Sequence, residues 1–69
     1  MERKVAELVV KDLAQRNGAM LSVPEAMSMT KVNTDRYDVY AIQKGNVTFL
    51  AWISIETMTC VRTKIVRWW

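Results

Sequence analysis

Apolar residues recur at three- and four-residue spacing through the start of the chain. Val5, Ala6, Val9, Val10 and Leu13 fall on one stripe, the period of an amphipathic helix. The pattern predicts a helix over 2–16. Its other face carries Glu7 with Lys11 and Asp12 with Arg16, acid-first pairs at i,i+4 that support a helix and need no functional explanation. Asn17-Gly18 supplies the stop, since both residue types tolerate left-handed backbone.

From residue 36 the residue types change. Tyr37, Val39, Tyr40, Ile42, Val47, Phe49, Trp52, Ile53 and Ile55 are mostly β-formers. Gly45-Asn46 separates two such runs, and glycine at the first loop position suits a type II′ turn. That predicts a hairpin over 36–55, with Ile42 facing Phe49, Tyr40 facing Ala51 and Val39 facing Trp52. A third strand is expected at about 59–68, after a turn near Glu56-Thr57-Met58. A two-residue loop there would set Phe49 opposite Val66. A three-residue loop sets Phe49 opposite Ile65 and Ile53 opposite Val61, and it is preferred. It keeps Val47, Phe49, Ala51, Ile53, Val61 and Ile65 on one buried face. Leu50, Trp52, Arg62, Lys64 and Trp68 then gather on the other.

Residues 19–34 carry two patterns. Ser22-Val23-Pro24-Glu25 has capping-box spacing with proline in the first turn, which favours a short helix from Pro24 to Met29. An irregular strand through Met27, Met29 and Lys31 competes with it. The expected fold class is α+β: one N-terminal helix on a three-stranded antiparallel meander, with a short helix or irregular segment between them.

Composition bounds the rest. Sixty-nine residues, 51% hydrophobic and 25% charged, form one small domain at 1–69 rather than a disordered chain. A domain this short leaves apolar surface outside its core, which a partner or a second copy of the chain would cover. The single cysteine, Cys60, excludes an internal disulfide and fits a reducing compartment. No apolar run is long enough for a bilayer, and Met1-Glu2-Arg3-Lys4 leads straight into the amphipathic pattern rather than a signal sequence. The expected location is cytoplasmic, which makes the sequon Asn46-Val47-Thr48 incidental. Net charge is +3. Residues 1–16 nearly cancel, whereas 57–69 carry Arg62, Lys64 and Arg67 with no acid, beside Trp68 and Trp69.

The residues for ordinary catalysis are missing. With no histidine, nucleophile–histidine arrangements and imidazole acid–base chemistry are excluded. One cysteine cannot build a zinc site, and two separated glycines cannot make a phosphate loop. Asp35 and Asp38, three apart, would point to opposite faces of a strand. Cys60 would be a reactive thiol only if Arg62 and Lys64 lowered its pKa; otherwise it is a small core residue. No enzyme, cofactor or metal is expected.

Leu21-Ser22-Val23-Pro24-Glu25-Ala26-Met27 resembles the first helix of excisionase-type winged-helix proteins, and Val39 to Gly45 resembles their recognition helix and the glycine leading to the wing. The likeness covers about a third of the chain and implies DNA binding. Against it, the second helix would carry Asp35 and Asp38 with only Arg36 and Lys44 to balance them, and these residues suit a hairpin better.

The basic, aromatic sheet face carries the functional expectation. Tyr37, Trp52, Arg62 and Trp68 have the chemistry of binding hot spots, with Leu50 filling between them. Lys64, Arg67 and Trp69 extend the same end. The expected function is a non-enzymatic regulator or inhibitor acting by protein–protein contact, similar in size and style to small phage or mobile-element proteins that modulate host machinery. The alternative is a nucleic-acid-binding regulator, with tryptophans stacking on bases and Arg62, Lys64 and Arg67 meeting phosphates. A third possibility gives the tryptophans no partner role in the monomer: they complete a core under 19–34 or bury in a homodimer.

Overall fold

The computed structural model describes residues 1–68. In chain order it contains α1 (Arg3–Asn17), α2 (Val23–Met27), β1 (Thr30–Thr34), β2 (Tyr37–Lys44), β3 (Val47–Ser54) and β4 (Cys60–Arg67). The strands form one antiparallel sheet in the order β1-β2-β3-β4. The fold is α+β as expected, but the sheet has four strands rather than three. Val39 to Gly45 lies in β2 and its turn, so the winged-helix alternative, with a recognition helix there, is overturned.

α1 forms where the stripe placed it. Val5, Ala6, Val9 and Leu13 are buried, and the helix stops at Gly18, whose φ of 59° is left-handed. The Gly18 N–H reaches the Ala14 carbonyl, and the Ala19 N–H reaches that of Leu13. Asp12 pairs with Arg16 at 2.9 Å. Glu7 pairs with Arg3, not with Lys11.

Residues 19–34 divide between both readings. Ser22 and Glu25 close a reciprocal capping box: the Glu25 N–H donates to Ser22 Oγ at 3.2 Å and the Ser22 N–H to Glu25 Oε1 at 3.0 Å. The bond from the Ser22 backbone, then Lys44 at 2.9 Å, holds the Glu25 carboxyl at a pKa of about 2. α2 ends at Met27 because the chain turns to begin β1, which pairs with β2. This is the strand the expectation lacked. The register shifts between Lys31 and Asn33, and all five residues are exposed. A short, bulged edge with a lysine resists further strand pairing.

The hairpin register is the expected one. Lys44 faces Val47, Ile42 faces Phe49, Tyr40 faces Ala51 and Val39 faces Trp52. Gly45 has φ of 64°, and Asn46 is not among the residues with positive φ, as a type II′ turn requires.

β4 is more informative. Phe49 faces Ile65 and Trp52 faces Arg62, the register chosen for core burial. Ile53, however, faces Cys60, with the register shifting between Trp52 and Ile53. The Ser54 N–H donates to the Thr59 carbonyl and the Met58 N–H to that of Ser54, so the loop spans Ile55–Met58. It is one residue longer than expected, and a bulge at Val61 absorbs the difference. Val61 therefore leaves the buried face and is 38% exposed. Cys60 takes its place against the core.

Both helices lie on one side of the sheet. The buried core joins Val5, Ala6, Val9 and Leu13 to Leu21, Ala26, Met29, Phe49, Ala51 and Ile53. One polar cluster ties α1 to β4. Asn17 Nδ2 donates to Thr63 Oγ1 at 2.8 Å, and Thr63 Oγ1 donates to Asp12 Oδ2 at 2.7 Å. Thr63 is thus buried with its hydrogen bonds made. No helix among the described residues is long and apolar enough to cross a membrane.

Candidate docking face

Alternation along β2, β3 and β4 sends two sets of side chains to opposite sides. Tyr40, Ile42, Phe49, Ala51, Ile53, Thr63 and Ile65 point to the helices. Tyr37, Val39, Ala41, Gln43, Thr48, Leu50, Trp52, Arg62, Lys64 and Val66 point away, into a face that neither helix covers. Residues 19–34 do not cover it either: they build α2 on the helix side and β1 at the sheet edge. The expectation that Trp52 and Trp68 lie under that segment is corrected accordingly.

Trp52 sits mid-sheet between Val39 and Arg62. The Arg62 guanidinium carbon lies 4.8 Å from its ring centroid, within cation–π range. Leu50 is half-buried between Ala41 and Lys64. Trp68, just past β4, is 57% exposed yet held at two points. Its backbone N–H donates to the Asn46 carbonyl at 2.6 Å, and its indole N–H donates to Thr48 Oγ1 at 2.8 Å. Both indoles are therefore oriented before any partner arrives. Tyr37, 42% exposed, opens β2 at the far end.

The structure thus brings together Tyr37, Leu50, Trp52, Arg62, Lys64 and Trp68. It separates Arg67, which faces Val47 in the register of the helix side and is exposed at the end of β4. Trp69 lies outside the described residues. What the sequence reading missed is at the Tyr37 end. A cleft of about 230 Å³ is lined by Asn33, Asp35, Arg36, Tyr37, Val39 and Trp52, and a second of about 490 Å³ shares Asp35, Arg36 and Tyr37 and reaches Ile55. Tyr37 contributes to both. Asn33 arrives through β1, so the cleft became visible only with the fourth strand. The β-branched run Thr30-Lys31-Val32-Asn33-Thr34 was the available signal.

The charges on this face are one-sided. Arg62 and Lys64 form no salt bridge among the described residues, nor do Lys4, Lys11, Arg36 and Arg67, whereas Arg3, Arg16, Lys31 and Lys44 do. Asp38 points to the helix side, where it accepts from Thr34 Oγ1 at 2.7 Å and lies 3.9 Å from Lys31. Asp35, in the turn, is the acid that lines the cleft.

Cys60 is half-buried, and its thiol donates to the Arg62 carbonyl at 3.5 Å. Burial first, and the Asp12 carboxylate second, push its pKa up to about 11. The reactive-thiol reading gives way to the small core residue. Among the described residues, no group of three His, Cys, Asp or Glu side chains is placed to hold a metal ion. The face offers apolar area, two oriented indoles and two cations without a salt bridge among the described residues.

No protein-family model, curated protein or solved structure matches this chain, so function has to be read from the face itself.

Proposed function

We propose that this protein is a small non-enzymatic regulator or inhibitor that docks onto another protein through the uncovered face of its sheet. One observation carries the reading: a face bearing Leu50, Trp52 and Trp68 stays open because both helices pack on the opposite side. Its aromatic groups are already fixed by Arg62 and Thr48. Preordered aromatic and arginine side chains lose little conformational freedom on binding, which is why they dominate hot spots.

A second copy stacked face to face is the weaker occupant. Three strands of eight residues and one of five, about 4.8 Å apart, give a flat footprint of only about 450 Å². The same stacking crowds Arg62 and Lys64 of both copies. A larger partner reaches beyond the strands to Trp68 at one end and the Tyr37 clefts at the other.

The test is partner capture by Trp68→Ala and Trp52→Ala proteins, with circular dichroism as the fold control. Capture should fall at least tenfold while the spectrum of Trp68→Ala stays native. Native capture by a folded Trp68→Ala protein rules the face out. Nucleic acid, the second reading, requires oligonucleotide affinity that drops steeply with salt, and its absence at low salt removes that reading.

A further inference from the structure

We infer that the segment received by this face is acidic, with carboxylates meeting Arg62 and Lys64 and an apolar side chain entering the cleft between Tyr37, Val39 and Trp52. The inference rests on the docking reading above and names the chemistry of its partner.

Charge complementarity comes first. Arg62 and Lys64 face Trp52 and Leu50 across β3, and the strand positions on this side of the sheet hold no carboxylate to neutralise them. Of the acids near this face, Asp38 is committed to Thr34 and Lys31, while Asp35 and Glu56 line the clefts at the Tyr37 end and form no salt bridge with Arg62 or Lys64 among the described residues. Two cations without a salt bridge among the described residues, beside apolar surface, are electrostatically complementary to carboxylates.

Geometry then separates a carboxylate from a nucleobase. Arg62 lies over the Trp52 ring, which occupies the face a base would stack on. An arginine over an indole keeps N–H groups for other partners, and guanidinium N–H pairs bind carboxylates in bidentate fashion. The Trp68 indole is tied by its N–H to Thr48. The Trp52 ring is therefore not a free stacking platform of the kind single-stranded nucleic acid uses, and Trp68 offers a single exposed indole.

The cleft gives the segment an anchor. Its volume of about 230 Å³ is enough for one apolar side chain, and it opens beside Trp52, next to Arg62 in the register. Arg36 at its mouth adds a cation and Asp35 opposes it. That opposition places the acidic residues of the ligand toward Arg62 and Lys64 rather than over the turn.

The experiment is an NMR titration of the full chain, following the Trp52 and Trp68 indole N–H signals. The probes are a capped acidic peptide with glutamates flanking a central Phe–Leu pair, the same peptide with glutamines, and a single-stranded oligothymidine. The glutamate peptide should shift both indole signals saturably, and its Kd should be at least tenfold lower than that of the glutamine peptide. The doubly substituted R62Q/K64Q protein should lose that preference. Equal binding of the two peptides, or no shift with the acidic one, overturns the acidic partner while leaving the docking face to its capture test. Tighter binding of oligothymidine than of the acidic peptide overturns the inference in favour of nucleic acid.

Discussion

The guanidinium of Arg62 lies over the indole of Trp52, its carbon 4.8 Å from the ring centroid, on the side of the sheet away from both helices. The two residues are cross-strand neighbours on β3 and β4. The contact therefore depends on the register that the Val61 bulge restores. Without that bulge, Arg62 would slip one position and leave Trp52.

That pairing can be measured. An exposed cation–π contact contributes about 0.5–1 kcal/mol. Arg62→Gln should lower stability by no more than about 1 kcal/mol while changing Trp52 fluorescence and its indole chemical shift. Arg62→Lys should retain part of the effect. A Trp52 signal unchanged in Arg62→Gln would show that the contact is not maintained in solution.

Thr63 joins sheet to helix. Its hydroxyl accepts from Asn17 and donates to Asp12, so Thr63→Val keeps the shape and removes both bonds. Leaving partly buried polar groups unmatched costs about 1–3 kcal/mol. Urea denaturation should show that loss with an unchanged m-value, and Thr63→Ser should recover most of it. A neutral Thr63→Val would mean that water replaces the hydroxyl.

Met58 is the one non-glycine residue with positive φ among the described residues, at 54°, and its side chain is 49% exposed. Little packing offsets a strain of about 1 kcal/mol or more. Asparagine tolerates this backbone better, so Met58→Asn should raise Tm by several degrees, since 1 kcal/mol moves a domain of this size by about 4–8 °C. Met58→Val should lower it. A fall in Tm for Met58→Asn would mean that the methionine packs in a way that outweighs its strain.

Cys60 gives the pH dependence. Its folded pKa, about 11, is raised from 9.0, so the neutral thiol is favoured in the native state. The associated stability is fully present below the unfolded value and is lost as pH rises through the folded one. Alkylation at pH 8 should be at least tenfold slower for the native protein than for the urea-unfolded chain and should accelerate above pH 10. Equal rates at pH 8 would contradict the burial.

Much of this was readable from residue types. The Val5–Leu13 stripe, Gly45-Asn46 and Ser22 with Glu25 are local signals, and each places its element within a residue or two. β1 was not readable in the same way. Thr30–Thr34 is exposed throughout, so burial imposes no apolar alternation on it, and its strand identity comes from pairing with β2. The loop before β4 failed for a related reason. Burial of Phe49 and Ile65 fixed the register, but two loop lengths satisfy it once a bulge is allowed. The docking face followed from that register for Leu50, Trp52, Arg62, Lys64 and Trp68. Its Tyr37 cleft did not, because Asn33 arrives from the strand that was missed.

The docking face is tested most directly by photo-crosslinking in cells of the protein's source, with p-benzoylphenylalanine in place of Gln43 on the open face or of Lys11 on the exposed side of α1. Both positions are exposed, and neither belongs to the core. The account predicts a discrete adduct with another protein from position 43, lost when Trp68→Ala is added, and none from position 11. Adducts from position 11 alone, or adducts from position 43 only with a second copy of this chain or with nucleic acid, would contradict it.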